Sequence, residues 1–132
     1  MAGFDRQRVA DLLAADPYAG KLGVELVSVT DQEIVVALAM RPDHLNFLAV
    51  GHGGVIFSLA DCAFSLASNQ AGDRAVAIDT HLVLTAATKE GDRLQARVRE
   101  VSRGTTLGTY RAEITRDDGR VAGLFTGTVF IS

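Results

Sequence analysis

The sequence predicts an α+β fold in which an antiparallel sheet wraps around one long central helix. Residues 53–69 are apolar on nearly every side of a helical wheel, the pattern of a helix buried all round. Beyond residue 75 the apolar period drops to two and stays there, interrupted by turn clusters, as in a run of antiparallel hairpins. With 132 residues, 48% of them hydrophobic and 22% charged, and no linker or repeat, the chain is expected to form one domain over 1–132.

The N-terminal segment, 1–18, is expected to be helical. Val9, Leu12 and Leu13 give residues 5–15 a helical spacing, and Asp16-Pro17 disfavours helix beyond them. Leu22, Val24 and Leu26, then Ile34, Val36, Leu38 and Met40, alternate around a Thr30-Asp31-Gln32 break, which reads as strand, turn and strand. Residues 41–51 have no consistent period and form a loop that feeds the central helix, 53–69, for which Asn69 and Gly72 supply the stop. Val76, Ile78, Thr80, Leu82 and Leu84 are expected on one face of the next strand. Leu94, Ala96 and Val98, then Tyr110, Ala112 and Ile114, mark two more, and 120–131 is the last. Glu90-Gly91-Asp92, Arg103-Gly104-Thr105 and Asp117-Asp118-Gly119 are the turns between them. A sheet closed round one helix is the hotdog arrangement, and the edge such a sheet leaves open predicts at least a dimer.

Asp61 is the only formally charged side chain in the 28 residues from Leu45 to Gly72. A carboxylate in so apolar a run is costly unless it is paired, hydrogen-bonded or kept for chemistry. Ser58, Asp61, Ser65 and Ser68 follow one another at offsets of three and four, which aligns them on one helix face. Asp61 then meets a neighbouring arginine as a structural ion pair, borders solvent at the end of a subunit interface, or acts as a base or nucleophile. Gly51-His52-Gly53-Gly54 leads into the helix start, where the first N–H groups lack intrahelical partners and the dipole is positive. Those donors can hold an oxyanion, or the glycines simply permit a tight turn. His52 is open to three roles, acid or base, loop-positioning group, or core histidine, with positioning favoured. Asn46 can bond a substrate carbonyl or organise the loop turn.

Other chemistries are excluded by what is missing. A net charge of −3 without a basic cluster argues against a nucleic-acid partner. No apolar run reaches the ~20 residues a membrane span needs, and Asp5, Asp11 and Asp16 are wrong for a signal peptide. There is no GxSxG elbow, no HExxH or Cys/His cluster around His44, His52 and His81, and Ile56 stands where a dinucleotide loop needs glycine. No metal or separate cofactor is expected. The single cysteine, Cys62, reads as a small core residue and fits a reducing cytoplasm.

The stretch HLNFLAVGHGGVIFSLADCAFSLASN, with Asn46, then His52-Gly53-Gly54, then Leu59-Ala60-Asp61, resembles the hotdog-fold acyl-coenzyme A thioesterases, and most closely their phenylacetate-degradation branch. The resemblance covers about residues 20–131. It implies that Asp61 attacks a thioester carbonyl or activates water to do so, that the Gly53 N–H polarises the carbonyl, that Ser65 helps hold the water, and that Asn46 supplies an amide. It further implies a site shared across a dimer, with Asn46 and Gly53 of one chain facing Asp61 of the other, and often a dimer of dimers. Coenzyme A would enter as part of the substrate. Its phosphates would be met near strand ends, where the candidates are Lys89, Arg103, Gly104, Thr105 and Thr106.

The leading expectation is hydrolysis of a small aryl-acetyl or hydroxyphenylacetyl coenzyme A thioester. The alternatives are a hotdog enoyl-coenzyme A hydratase or dehydratase pairing His52 with Asp61, and an acyl-coenzyme A binding module that does no chemistry.

Overall fold

A computed structural model describes residues 3–132. Six strands form one antiparallel sheet in the order β1-β2-β4-β5-β6-β3, curled about a single long helix, α3. The fold class therefore agrees with the sequence reading. The strands are β1 (Glu25–Val29), β2 (Ile34–Ala39), β3 (Ala75–Leu84), β4 (Arg93–Arg103), β5 (Leu107–Arg116) and β6 (Val121–Ile131). Helix α3 spans Gly53–Asn69.

The N-terminal segment holds two helices where one was expected, α1 (Arg6–Ala14) and α2 (Pro17–Leu22). Asp16-Pro17 ends the first and starts the second. The Asp16 side chain accepts the Ala19 N–H at 3.1 Å, and Pro17 occupies the first helical position, where a missing N–H costs nothing. Gly23 closes α2 in the left-handed region at φ 85°, so Leu22 belongs to a helix and Val24 precedes β1.

The inner face of the sheet is as the alternation predicts: Leu94, Ala96 and Val98 of β4 and Tyr110, Ala112 and Ile114 of β5 are fully buried. They meet Leu59, Ala60, Ala63 and Phe64 of α3 in one core. Phe64 packs against Tyr110 and Phe125 with ring centroids 5.8 and 5.4 Å away. Gly127 makes room for it, since a Cβ there would lie 2.8 Å from Phe64 Cζ. Strand β2 is buried on both faces. Arg97 and Arg99 of β4 both bond Glu33, at 2.8 and 2.9 Å, and Arg97 is the cross-strand partner of buried Val35.

Strand β3 departs from the reading. A register shift between Ala77 and Asp79 breaks its alternation, so Val76 and Ile78 do not share a buried face with Leu82. Among the described residues its only strand partner is β6, which leaves its other edge open, and Ile78 is 60% exposed. No helix among the described residues is long and apolar enough to cross a membrane.

Candidate active site

The loop ahead of α3 is braced by side chains at both ends. A short 3-10 turn, Pro42–His44, opens it, and buried His44, 3% exposed, accepts the Arg41 N–H on Nδ1 at 3.0 Å. The His44 carbonyl accepts the His52 N–H at 2.9 Å, so one residue clasps the start and the end of the loop. Burial holds the His44 imidazole below the usual histidine range, which keeps it neutral and keeps Nδ1 an acceptor. Nothing in the sequence marked this role, because a lone loop histidine has no signature.

Between these ends, Asn46 performs the turn role. Its Oδ1 accepts the N–H groups of Leu48 and Val50 at 2.9 and 3.3 Å, and Nδ2 keeps no partner among the described residues. Ala49, at the tip, is the only non-glycine with positive φ, 61°, among them. Gly51 has no room for a side chain, because a Cβ would fall 1.8 Å from Thr88 Oγ1.

At the helix start His52 is the N-cap, its Nδ1 accepting the Gly54 N–H at 2.8 Å. That is a positioning role, and it fixes the ring as an acceptor toward its own helix. The neighbouring Gly53 N–H has no acceptor among the described residues, and it borders a cavity of about 360 Å³ lined by Gly51, Gly53, Ile56, Leu84, Thr85 and Thr88. A free donor at a helix N-terminus beside open space is suited to a carbonyl oxygen that gains charge.

Asp61 sits midway along α3, half-buried, and its carboxylate has neither ion pair nor hydrogen bond among the described residues. The structural ion-pair reading thus finds no arginine within this chain. Burial foremost, and then the charge of Asp16, hold Asp61 above the usual carboxylate range. The stripe of hydroxyls lies on the same face but turns inward to the helix. Ser58 Oγ donates to the Gly54 carbonyl at 2.8 Å, Ser65 Oγ to the Asp61 carbonyl at 2.9 Å, and Ser68 Oγ to the Phe64 carbonyl at 2.9 Å. Ser65 keeps its lone pairs one turn beyond the carboxylate. Cys62, buried, has its thiol pushed up to about 12 and cannot serve as a thiolate.

Gly53 and Asp61 are eight residues apart on one helix, about 12 Å along the axis. One chain therefore does not bring the donor and the carboxylate to the same atom.

The residues expected to meet coenzyme A fall at two separate places. Lys89 lines a second cavity, about 510 Å³, that shares Ala87 and Thr88 with the cavity at Gly53. Arg103 and Gly104 lie at the opposite end, by the C-terminus of α3. The Arg103 guanidinium turns inward, donating to the Ser68 carbonyl at 3.0 Å, the Tyr110 hydroxyl at 2.6 Å and Asp73 at 3.2 Å. Gly104 N–H closes the turn onto the Leu107 carbonyl, and Thr105 and Thr106 are exposed. No group of three His, Cys, Asp or Glu among the described residues is placed to hold a metal ion.

A sequence profile described as the thioesterase superfamily matches residues 48–122, which include the loop end, all of α3 and most of the sheet. The chain belongs to this superfamily. Among similar curated proteins, a putative esterase of Deinococcus radiodurans is 42% identical over 85% of this chain and 77% of its own length. The acyl-coenzyme A thioesterase PaaI of Escherichia coli is 33% identical over 85% of this chain and 80% of its own. The solved E. coli PaaI structure, from a phenylacetic acid degradation operon, superposes with a TM-score of 0.91 at 30% identity, covering 96% of this chain and 91% of that one. The hotdog fold and thioester hydrolase activity follow from the superfamily, and the resemblance to its phenylacetate-degradation members holds.

Proposed function

We propose that this thioesterase hydrolyses small aryl-acetyl coenzyme A thioesters, of the phenylacetyl or hydroxyphenylacetyl kind, in the cytoplasm, and does so as a dimer whose chains share each site. The observation that carries the chemistry is the pair formed by a half-buried carboxylate at Asp61 and an N–H at Gly53, both without a partner among the described residues. The carboxylate takes a proton from water as the water oxygen bonds the thioester carbonyl carbon, which forms the tetrahedral intermediate, and the Gly53 N–H holds its oxyanion. Collapse expels the coenzyme A sulfur, which recovers the proton from Asp61. The products are the free acid and coenzyme A, and no further cofactor takes part. The lone pairs of Ser65 favour water as the nucleophile. Single-turnover hydrolysis in isotopically labelled water tests this, since label entering Asp61 itself would show direct attack by the carboxylate instead.

The 12 Å span along one helix is what calls for a second chain. Helix α3 begins beside Leu84 and ends beside Ala75, to which Asn69 bonds at 2.9 and 3.1 Å, so it runs antiparallel to β3. Pairing the open β3 edges of two chains about a two-fold axis sets their α3 helices antiparallel. The start of one then approaches the middle of the other. The outer sheet face, with Leu107 and Phe130 exposed on neighbouring strands, offers a further surface for a dimer of dimers. Lys89, near the Gly53 cavity, is the better placed cation for the nucleotide phosphates, because Arg103 is committed to Asp73 and Tyr110.

The aryl preference draws on the phenylacetate relative and on aromatic side chains left open around the site: Phe47, 96% exposed in the loop, and Tyr18 beside α3. A panel of acyl thioesters followed by thiol release tests it. Phenylacetyl-coenzyme A should exceed straight-chain substrates in kcat/KM, and a preference for long-chain acyl groups would overturn the assignment. In the hydratase alternative only His52 Nε2 could act, because Nδ1 is occupied by the Gly54 N–H.

A further inference from the structure

The short helix α2 lies against α3 beside Asp61, and the mechanism above makes no use of it. Three observations locate it there. The Tyr18 hydroxyl meets Ser58 Oγ at 3.0 Å, and Ser58 precedes Asp61 by three residues, on the same helix face. The Asp16 charge, at the start of α2, is felt by both Asp61 and Cys62. Ala19 and Leu22 of α2 are buried in the common core.

Helix α2 is also rigidly held for its length. Asp16 caps its start, Gly23 closes its end, and Arg41 Nη2 donates to the Lys21 carbonyl at 3.0 Å, tying α2 to the loop that carries Asn46. Yet Tyr18, on this anchored element, leaves 59% of its surface open. A large aromatic fixed by a hydrogen bond at its tip to Ser58, one helical turn from Asp61, with its ring uncovered, is shaped to receive something. Apolar acyl groups of aryl size match that surface.

We infer that Tyr18 is a specificity-determining residue: its ring forms the wall of the acyl pocket at Asp61 and selects flat aryl groups by stacking, while its hydroxyl, bonded to Ser58, sets the angle of that wall. The inference rests on the thioesterase reading of Asp61 and deepens it by assigning the residue that reads the acyl group. Tyr18 is exposed, so its replacement leaves the core untouched.

The test compares wild type, Tyr18→Ala and Tyr18→Phe on phenylacetyl-, butyryl- and acetyl-coenzyme A, with kcat and KM separated. An aromatic contact of this kind corresponds to a loss of about tenfold. Tyr18→Ala should raise KM for phenylacetyl-coenzyme A by about that factor with kcat nearly unchanged, and should leave acetyl-coenzyme A hydrolysis within about twofold. Tyr18→Phe should keep most of the aryl preference. An equal fall on all three substrates would show a merely structural role and overturn the inference. If wild type shows no aryl preference, the substrate assignment fails. The role of Tyr18 is then judged by whether Tyr18→Ala reorders the panel, and an unchanged order overturns it.

Discussion

At Asp61, function and stability pull in opposite directions. Burial and the Asp16 charge disfavour the ionised carboxylate that hydrolysis requires. As pH rises from about 4, the ordinary carboxylate value, the unfolded chain releases this proton before the folded one does. The folded state then binds more protons, and stability falls as pH climbs through the raised folded value. Asp61→Asn removes that penalty. We expect it to melt at a higher temperature than wild type at pH 7.5, with the difference narrowing toward pH 4, while turnover falls about 10²- to 10⁴-fold for loss of a general base. Wild-type kcat/KM should show an acid limb displaced above the normal carboxylate range. Equal melting temperatures at pH 7.5 would mean that Asp61 finds a compensating partner. Gly51 supplies a purely steric counterpart. A Cβ there meets Thr88 Oγ1 at 1.8 Å and Met40 Cε at 2.8 Å, so Gly51→Ala should lower the urea midpoint by the equivalent of about 1–3 kcal/mol, typical of overpacking.

The elements differ in how openly the sequence announces them. Helix α3 was legible to the residue, because His52-Gly53-Gly54 and Asn69 frame an apolar run that no strand or surface helix would carry. Strands β4 and β5 were equally clear from Leu94, Ala96 and Val98 and from Tyr110, Ala112 and Ile114. Three features were not. Asp16-Pro17 carries the signal for a helix stop and for a helix start alike, and only the burial of Ala19 and Leu22 shows that a second helix begins. The bulge in β3 leaves no trace in composition, so its alternation was read straight through. Arg103 looked like an exposed turn cation and instead satisfies the buried Tyr110 hydroxyl, across the β4–β5 hairpin, and the Ser68 carbonyl at the end of α3, contacts that only the tertiary fold creates. Within the site, the cap on α3 separates two roles of His52. His52→Asn retains a capping oxygen, and should keep stability within about 0.5 kcal/mol and hydrolysis within about tenfold. His52→Ala should lose about 1 kcal/mol as the cap disappears. A loss of two or more orders of magnitude in the Asn variant, with stability intact, would assign proton transfer to His52.

At the scale of the whole molecule, the argument turns on whether a site belongs to one chain or two. Gly53→Pro is suited to the question, since proline is tolerated at the first helical position and removes the one N–H in question. His52, at φ −66° and ψ 131°, already has the extended backbone that a following proline demands. The nearest obstacle to a new Cβ is the flexible tip of Leu84, at 3.1 Å. Gly53→Pro should therefore fold and lose about 10²- to 10³-fold in turnover, the cost of one oxyanion donor. Asp61→Asn should be comparably inactive. If each site takes its donor from one chain and its carboxylate from the other, a dimer of the two variants contains one wholly intact site and one doubly damaged site. Random pairing makes about half of the dimers mixed, so refolding the variants together should restore about a quarter of wild-type activity per chain. Mixing without exchange should restore none, which separates assembly from contamination. A site contained in one chain predicts no recovery in either case, because every chain present would carry a lesion in its own site.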